Sequence, residues 1–245
     1  MDFILKEGER LDDLVRDGMK IIQRPDQFCF SIDSVLLAHF VKIRRGDRIA
    51  DLGTGTAVIP LLLTAFGAEN VTGIEMNPVT ADMAARSVSG NHREDRIRIT
   101  EGDYTRPETL FPSGAFTSVV VNPPYRAAGT GRLSGKAGVA AACHELTASL
   151  DDVFRAAQYL LCYGGRLAMV HRADRLCDLI ACGRAHRMEA KRLRFVYSHE
   201  GEEASRLLCE WKYGGRADVK IGPPLIVHEK DGRYTEEILR IYGKK

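Results

Sequence analysis

The chain has 245 residues, 44 % hydrophobic and 28 % charged, the composition of a folded globular protein and not of a disordered one. With 35 Lys and Arg against 33 Asp and Glu the net charge is +2, so no global field draws the chain to nucleic acid or membrane, and any basic surface has to be local. The opening MDFILKEGER lacks a long apolar core, and the longest apolar run, Val58 to Phe66, is too short to span a bilayer; a cytoplasmic protein with no membrane association is expected. Six cysteines (Cys29, Cys143, Cys162, Cys177, Cys182, Cys209) form no C-x-x-C pair, and the histidines show no metal-ligand spacing, so reduced thiols and no metal are expected.

In chain order, Leu14-Val15 and Lys20-Ile21-Ile22 flank Asp17-Gly18, which predicts a short hairpin. Ser31 or Asp33 can cap a helix over Ser34 to Val41, whose Val35, Leu36, Phe40 and Val41 share one face. From residue 48 strands alternate with helices: a strand over 48–52, a glycine turn, a helix over 58–66, a strand over 71–75, and a helix over 78–89 with Pro78 in its first turn. Strands over 97–100 and 118–121 follow, then a helix over 148–163 stopped by Gly164-Gly165, and a strand over 166–171. Leu193 to Tyr197 and Leu207 to Lys212, separated only by a polar loop, predict an antiparallel pair at the sheet edge. The fold class expected is α/β: a Rossmann-like, doubly wound, mostly parallel seven-stranded sheet with helices on both faces. No linker divides it, so one domain is expected over 1–245, with a hairpin and helix extension (1–47) ahead of the catalytic core (48–245).

Asp51-Leu52-Gly53-Thr54-Gly55-Thr56-Ala57 joins a strand to a helix, where glycines let backbone N–H groups approach a ligand. A dinucleotide fingerprint would need glycine at position 58, which is Val58, and a phosphate loop would need Gly-Lys-Ser/Thr, which is absent. The carboxylate on the strand end repels phosphate and suits a cationic ligand. Glu75 ends the next strand and Asp103 follows the third, so two or three carboxylates converge on one crevice. S-adenosylmethionine, with its hydroxyls, amino groups and positive charge, fits that description; the alternative, that these acids only cap helices, stays open at this point.

Asn122-Pro123-Pro124-Tyr125 follows the apolar strand ending at Val121, beside the same crevice. An exocyclic amine or primary amide is a poor nucleophile because its lone pair is delocalised. The Asn122 side-chain oxygen and the Pro123 carbonyl can each accept one N–H of such an NH₂ group, favouring a pyramidal nitrogen. Two prolines fix φ and withhold donors, and Tyr125 supplies a flat face for a planar base. A rigid turn that merely ends a strand is the alternative.

These residues are similar to the class I S-adenosylmethionine-dependent methyltransferases that carry an N-P-P-Y motif. Lys20 to Gln23, Phe30 to Ala38, Asp51 to Leu63, Asn122 to Tyr125, Gly131 to Ser134, His144-Glu145 and Lys191 to Leu193 resemble, in order, the bacterial tRNA (adenine-N6)-methyltransferases, a branch that modifies the adenine next to the anticodon of a valine tRNA. The resemblance implies that Asp51, Gly53 and Gly55 line the methionine side of S-adenosylmethionine, Glu75 its ribose and Asp103 its adenine amine. Ser31, Asp33, Thr54, Thr56, Met76, Tyr104 and Asn122 are counted with them. It further implies that Asn122, Pro123 and Pro124 hold the target amine while Tyr125 stacks on its base. Ala57 departs from the pattern, since the family often has a third glycine there.

The segment 126–143 is expected to be mobile and has three basic residues, Arg126, Arg132 and Lys136, with no acid, which suits RNA phosphates. A second basic group, Arg184, Arg187, Lys191, Arg192 and Arg194, reads either as a further RNA contact, through Lys191 and Arg192, or as a solvated face. The partner expected is tRNA, whose unpaired loop adenine can swing into a pocket at small expense, and a monomer is favoured. Rival readings are glutamine-amide methylation of release factors, whose enzymes carry a larger helical domain ahead of the glycine turn where 50 residues precede Asp51 here, duplex-DNA adenine methylation, and a non-catalytic RNA-binding protein.

Overall fold

The computed structural model describes residues 3–14, 16–26, 29–123 and 148–244. Strands β1 (Arg10–Asp13) and β2 (Lys20–Gln23) pair antiparallel with Arg10 opposite Gln23. Asp17 and Gly18 have φ of 53° and 66°, and the Met19 N–H donates to the Arg16 carbonyl at 3.0 Å. That is the left-handed two-residue turn an Asp-Gly pair favours. The first arm lies earlier than the Leu14-Val15 expected, since Leu14 is buried beyond the last strand pair. The hairpin is tied to helix α3 (Pro78–Gly90): the Ile22 N–H donates to Ser87 Oγ at 3.0 Å, and Asn91 brackets Lys20, its Oδ1 accepting the N–H and its Nδ2 donating to the carbonyl.

Helix α1 spans Ile32–Phe40, starting two residues before the expected Ser34, with the Ser31 hydroxyl accepting from the Asp33 N–H as its cap. The main sheet holds β3 (Ile49–Leu52), β4 (Val71–Glu75), β5 (Ile97–Glu101), β6 (Phe116–Val121), β7 (Leu161–Arg172), β8 (Met188–Tyr197) and β9 (Ala204–Tyr213). They lie in the order β8-β9-β7-β6-β3-β4-β5. These are the seven expected strands; two-residue strands β10 (Lys220–Ile221) and β11 (Leu225–Ile226), both paired with β8, bring the sheet to nine. The antiparallel edge pair is β8 and β9, of which β9 alone runs against its neighbours.

Helices α2 (Val58–Ala65), α4 (Leu150–Leu160), α5 (Leu176–Ala185) and α6 (Glu236–Ile241) complete the two outer layers. One apolar core joins α1, α2, α3 and α6 to the sheet through residues such as Leu36, Leu62, Val88 and Ile238; the other joins α4 and α5 through Phe154, Leu160 and Leu179, closed by Trp211 from β9. Helix α4 ends at Leu160 and not at Gly164. The chain runs directly into β7, and the Gly164-Gly165 pair lies where the register with β6 shifts between Phe116 and Ser118. A Cβ on Gly165 would meet the Cys162 carbonyl oxygen at 2.8 Å, so the pair serves a bulge instead of a helix cap. No helix among the described residues is long and apolar enough to cross a membrane.

The order β6-β3-β4 puts the reversal of winding between β3 and β6, and the carboxyl ends of those two strands are where an open α/β sheet places its ligand crevice. Asp51 is in register with Val120, and Leu52 with Val121, so the glycine turn and Asn122 leave the sheet side by side.

Candidate active site

Asp51 stands last but one on β3, fully buried, with neither carboxylate oxygen in a hydrogen bond; the buried Thr54 hydroxyl is also unpartnered. Burial pushes the Asp51 carboxyl up to about 7, the nearby Thr54 hydroxyl opposing the rise and the Glu75 charge adding to it. A carboxylate left this way costs stability unless a donor or cation arrives. Gly73 on β4 makes the arrangement possible, because a Cβ there would fall 2.8 Å from the Thr54 side chain.

The turn after β3 has three left-handed residues, Gly53 (φ 67°), Gly55 (58°) and Ala57 (73°). Ala57, at the position where the resemblance leads one to expect glycine, thus keeps a glycine conformation, at a strain of about 1 kcal/mol. Glu75 bolts this turn to the start of α3: its Oε2 accepts the Gly55 N–H and its Oε1 the Asn77 N–H, both at 2.9 Å. Burial raises the Glu75 pKa and these N–H bonds pull it back. Met76, next in the chain, is 38 % exposed, an apolar surface at the crevice rim. Asp103 receives both the backbone N–H and the hydroxyl of Thr105 on one oxygen, Oδ1. The Tyr104 ring lies under the turn, 3.6 Å from where a Gly53 Cβ would be, and its burial raises the phenol pKa.

Across the crevice, Asn122 follows β6 and its Nδ2 donates to Ser34 Oγ on α1 at 3.1 Å. Pro123 is buried. Pro124, Tyr125, Arg126, Arg132, Lys136 and the His144-Glu145 pair lie outside the described residues. Of the other residues expected on the cofactor side, Ser31 caps α1, and the buried Asp33 carboxylate accepts from Arg206 Nε of β9 at 3.0 Å. Ser34 and Arg206 are the residues here that sequence reasoning missed; Ser34 lies in the Phe30 to Ala38 run that carried the resemblance, whereas nothing in the sequence marks Arg206.

The second basic group lies on β8 and just ahead of it. Arg192 donates to both carboxylate oxygens of Glu210 at 3.1 Å and to the Phe40 carbonyl at 2.7 Å, with its guanidinium 4.2 Å over the Phe40 ring. Lys191 donates to the Arg216 carbonyl, Arg184 pairs with Glu189 and Arg194 with Glu237. Strand β8 is also three places from β6. Lys191 and Arg192, expected at RNA, each have a partner within the fold.

The crevice suits S-adenosylmethionine on its own chemistry. It combines a buried unpartnered carboxylate on the side where a cation is wanted, glycines whose backbone a ligand can approach, an acid at the next strand end and an exposed apolar side chain beside it.

Comparison with known proteins agrees. The tRNA1(Val) (adenine(37)-N6)-methyltransferase of Porphyromonas gingivalis is 33 % identical over 197 residues, 78 % of this chain and 76 % of that protein. The protein of the same name from Aliivibrio salmonicida is 24 % identical over 86 % of this chain and 87 % of its own length. Among solved structures, a predicted O-methyltransferase from Agrobacterium tumefaciens superposes with a TM-score of 0.68 at 27 % identity, covering 86 % of this chain and 95 % of that one. Residues 19–178 match the Methyltransferase small domain family, a span that takes in the glycine turn, Glu75 and Asn122 together, and the chain belongs to that family.

Proposed function

We propose that this methyltransferase acts on the exocyclic N6 amine of an adenine in tRNA, the anticodon-loop adenine of valine tRNA, in the cytoplasm. The observation that carries the reading is the juxtaposition, across one strand pair, of the buried unpartnered Asp51 and the Asn122 amide held by Ser34. The names of the P. gingivalis and A. salmonicida relatives support adenine N6 and tRNA as the acceptor.

S-adenosylmethionine supplies, when bound, a methyl group already activated on a sulfonium. Asp51, the backbone of Gly53 and Gly55, Glu75, Met76 and Asp103 would hold it. The chain's own task is alignment and charge. Asn122 Oδ1 and the Pro123 carbonyl accept the two N–H bonds of the adenine amine, drawing the nitrogen lone pair out of the ring and toward the donor. Ser34 is a positioning residue, since it holds the Asn122 amide by its nitrogen end. Tyr125 is assigned the base-stacking role and the acid-free run with Arg126, Arg132 and Lys136 the phosphates, both from residue chemistry.

The test is transfer of labelled methyl from S-adenosylmethionine to unmodified tRNA, with release factor and duplex DNA as parallel acceptors. Label recovered as N6-methyladenosine from tRNA is expected, and label in release factor instead overturns the assignment. Asn122→Ala should lower the rate at least about 100-fold while cofactor and tRNA affinities stay within about threefold.

A further inference from the structure

On the sheet face away from α1, helices α4 and α5 gather Asp151, Cys182 and His186. One potential ligand atom from each lies within 4.8 Å of the other two. Asp151 opens α4, Cys182 is in α5, and His186 is its C-cap, one turn after Cys182 on the same side.

The His186 ring is held at both of its nitrogens. Its Nε2 is 2.7 Å from Asp151 Oδ1 and its Nδ1 is 3.2 Å from Gln158 Oε1. Gln158 at Nδ1 fixes the ring from the side opposite Nε2, as a partner on the outer nitrogen does at metal-binding histidines. Phe154 lies parallel to the ring (interplanar angle 9°, centroids 6.3 Å apart) and holds its plane. The His186 side chain is 14 % exposed and that of Asp151 66 %, so the cluster has protein behind it and water in front.

We propose that Asp151, Cys182 and His186 form a binding site for a divalent transition metal of the zinc class, with water as the fourth ligand. Sulfur, imidazole nitrogen and one carboxylate oxygen are the mixed donor set such ions prefer, whereas calcium and magnesium take oxygen alone. In a tetrahedral site the ligand atoms stand about 3.3–3.8 Å apart, within the span seen, and the exposed Asp151 has room to move back from Nε2. Binding exchanges a proton for the ion: the Cys182 S–H bond breaks, the sulfur–metal bond forms, and the proton leaves to water. A nucleophilic Cys-His-Asp relay does not account for the cluster, because Gln158 and Asp151 engage both ring nitrogens. In addition, burial, with the Asp151 charge, pushes the thiol up to about 11. Spacing within the sequence does not reveal the site, because Asp151 precedes His186 by 35 residues.

The experiment titrates the chelator-stripped full chain with Co²⁺ and then Zn²⁺. Expected are one equivalent of tetrahedral cobalt with a near-ultraviolet thiolate charge-transfer band, and its displacement by zinc. Cys182→Ser should abolish the band with the fold and methyl transfer intact, and Cys177→Ser should leave it unchanged. His186→Ala and Gln158→Leu should each weaken cobalt affinity about 10-fold or more. The absence of a band in the unaltered chain at micromolar excess of cobalt, or its survival in Cys182→Ser, overturns the proposal.

Discussion

Two regions of the sheet, β8 with β9 and β3 with β4, use the same residue types to opposite ends. On β8 and β9, arginines meet carboxylates: Arg192 with Glu210, Arg194 with Glu237, and Arg184 with Glu189 at the strand start. On β3 and β4 the acids meet no side-chain cation. Asp51 has only the Thr54 hydroxyl nearby, and Glu75 relies on backbone N–H groups. Charge with its partner built in is fold; charge buried without one is a place kept for a ligand. The contrast also explains why a basic cluster read from sequence is weak evidence for RNA contact, since the acids that neutralise it arrive from other strands.

The largest test of this contrast is Asp51→Asn. A carboxyl whose folded pKa is about 7, above its unfolded value, stabilises least when ionised. The unliganded protein should therefore lose stability as pH rises from about 4 to about 7 and then level off. The loss is up to about 4 kcal/mol on the ordinary conversion of pKa to free energy. The asparagine variant should lack that slope and be the more stable protein in denaturant above pH 7, less the cost of an unpaired amide. Its affinity for S-adenosylmethionine should fall at least about 10-fold; unchanged affinity would remove Asp51 from the site. Arg192→Ala is the converse: stranding the buried Glu210 should cost about 2–3 kcal/mol in urea unfolding, while tRNA affinity measured at equal fraction folded stays the same. A drop in affinity there would restore β8 as an RNA surface.

A finer comparison sets Arg132→Ala against Lys191→Ala. The first should weaken tRNA binding several-fold and reduce the salt slope by about one, and the second should alter neither. Smallest is Ala57→Gly, which relieves the left-handed strain but removes a buried methyl; thermal unfolding should shift by no more than about 1 kcal/mol, toward stability. Any larger effect would mean that Ala57 does more than follow the turn.

The strand, turn and helix order was legible from residue 48 to Val121 because each parallel strand is a short apolar run between turn signals, and Asp51, Glu75 and Asn122 could be placed at strand ends on that basis. What escaped lies at longer range or below the length that shows a period. Helix α5 buries only Leu179 and Gly183, too narrow a face to read, and β10 and β11 have two residues each. The Asn122 to Ser34 and Arg206 to Asp33 bonds join residues 88 and 173 apart, a distance at which sequence pattern carries no information about contact. The overlong α4 prediction came from reading Gly164-Gly165 as a stop, where the glycines belong to a bulge in β7.

The order β6-β3-β4 also bears on how such an enzyme changes over generations. Most groups assigned to the donor lie at the ends of β3, β4 and β5, and those assigned to the acceptor follow β6. Mutations in the segment after β6 therefore explore new acceptors without disturbing the donor half, and a lineage can exchange its substrate while inheriting its reagent.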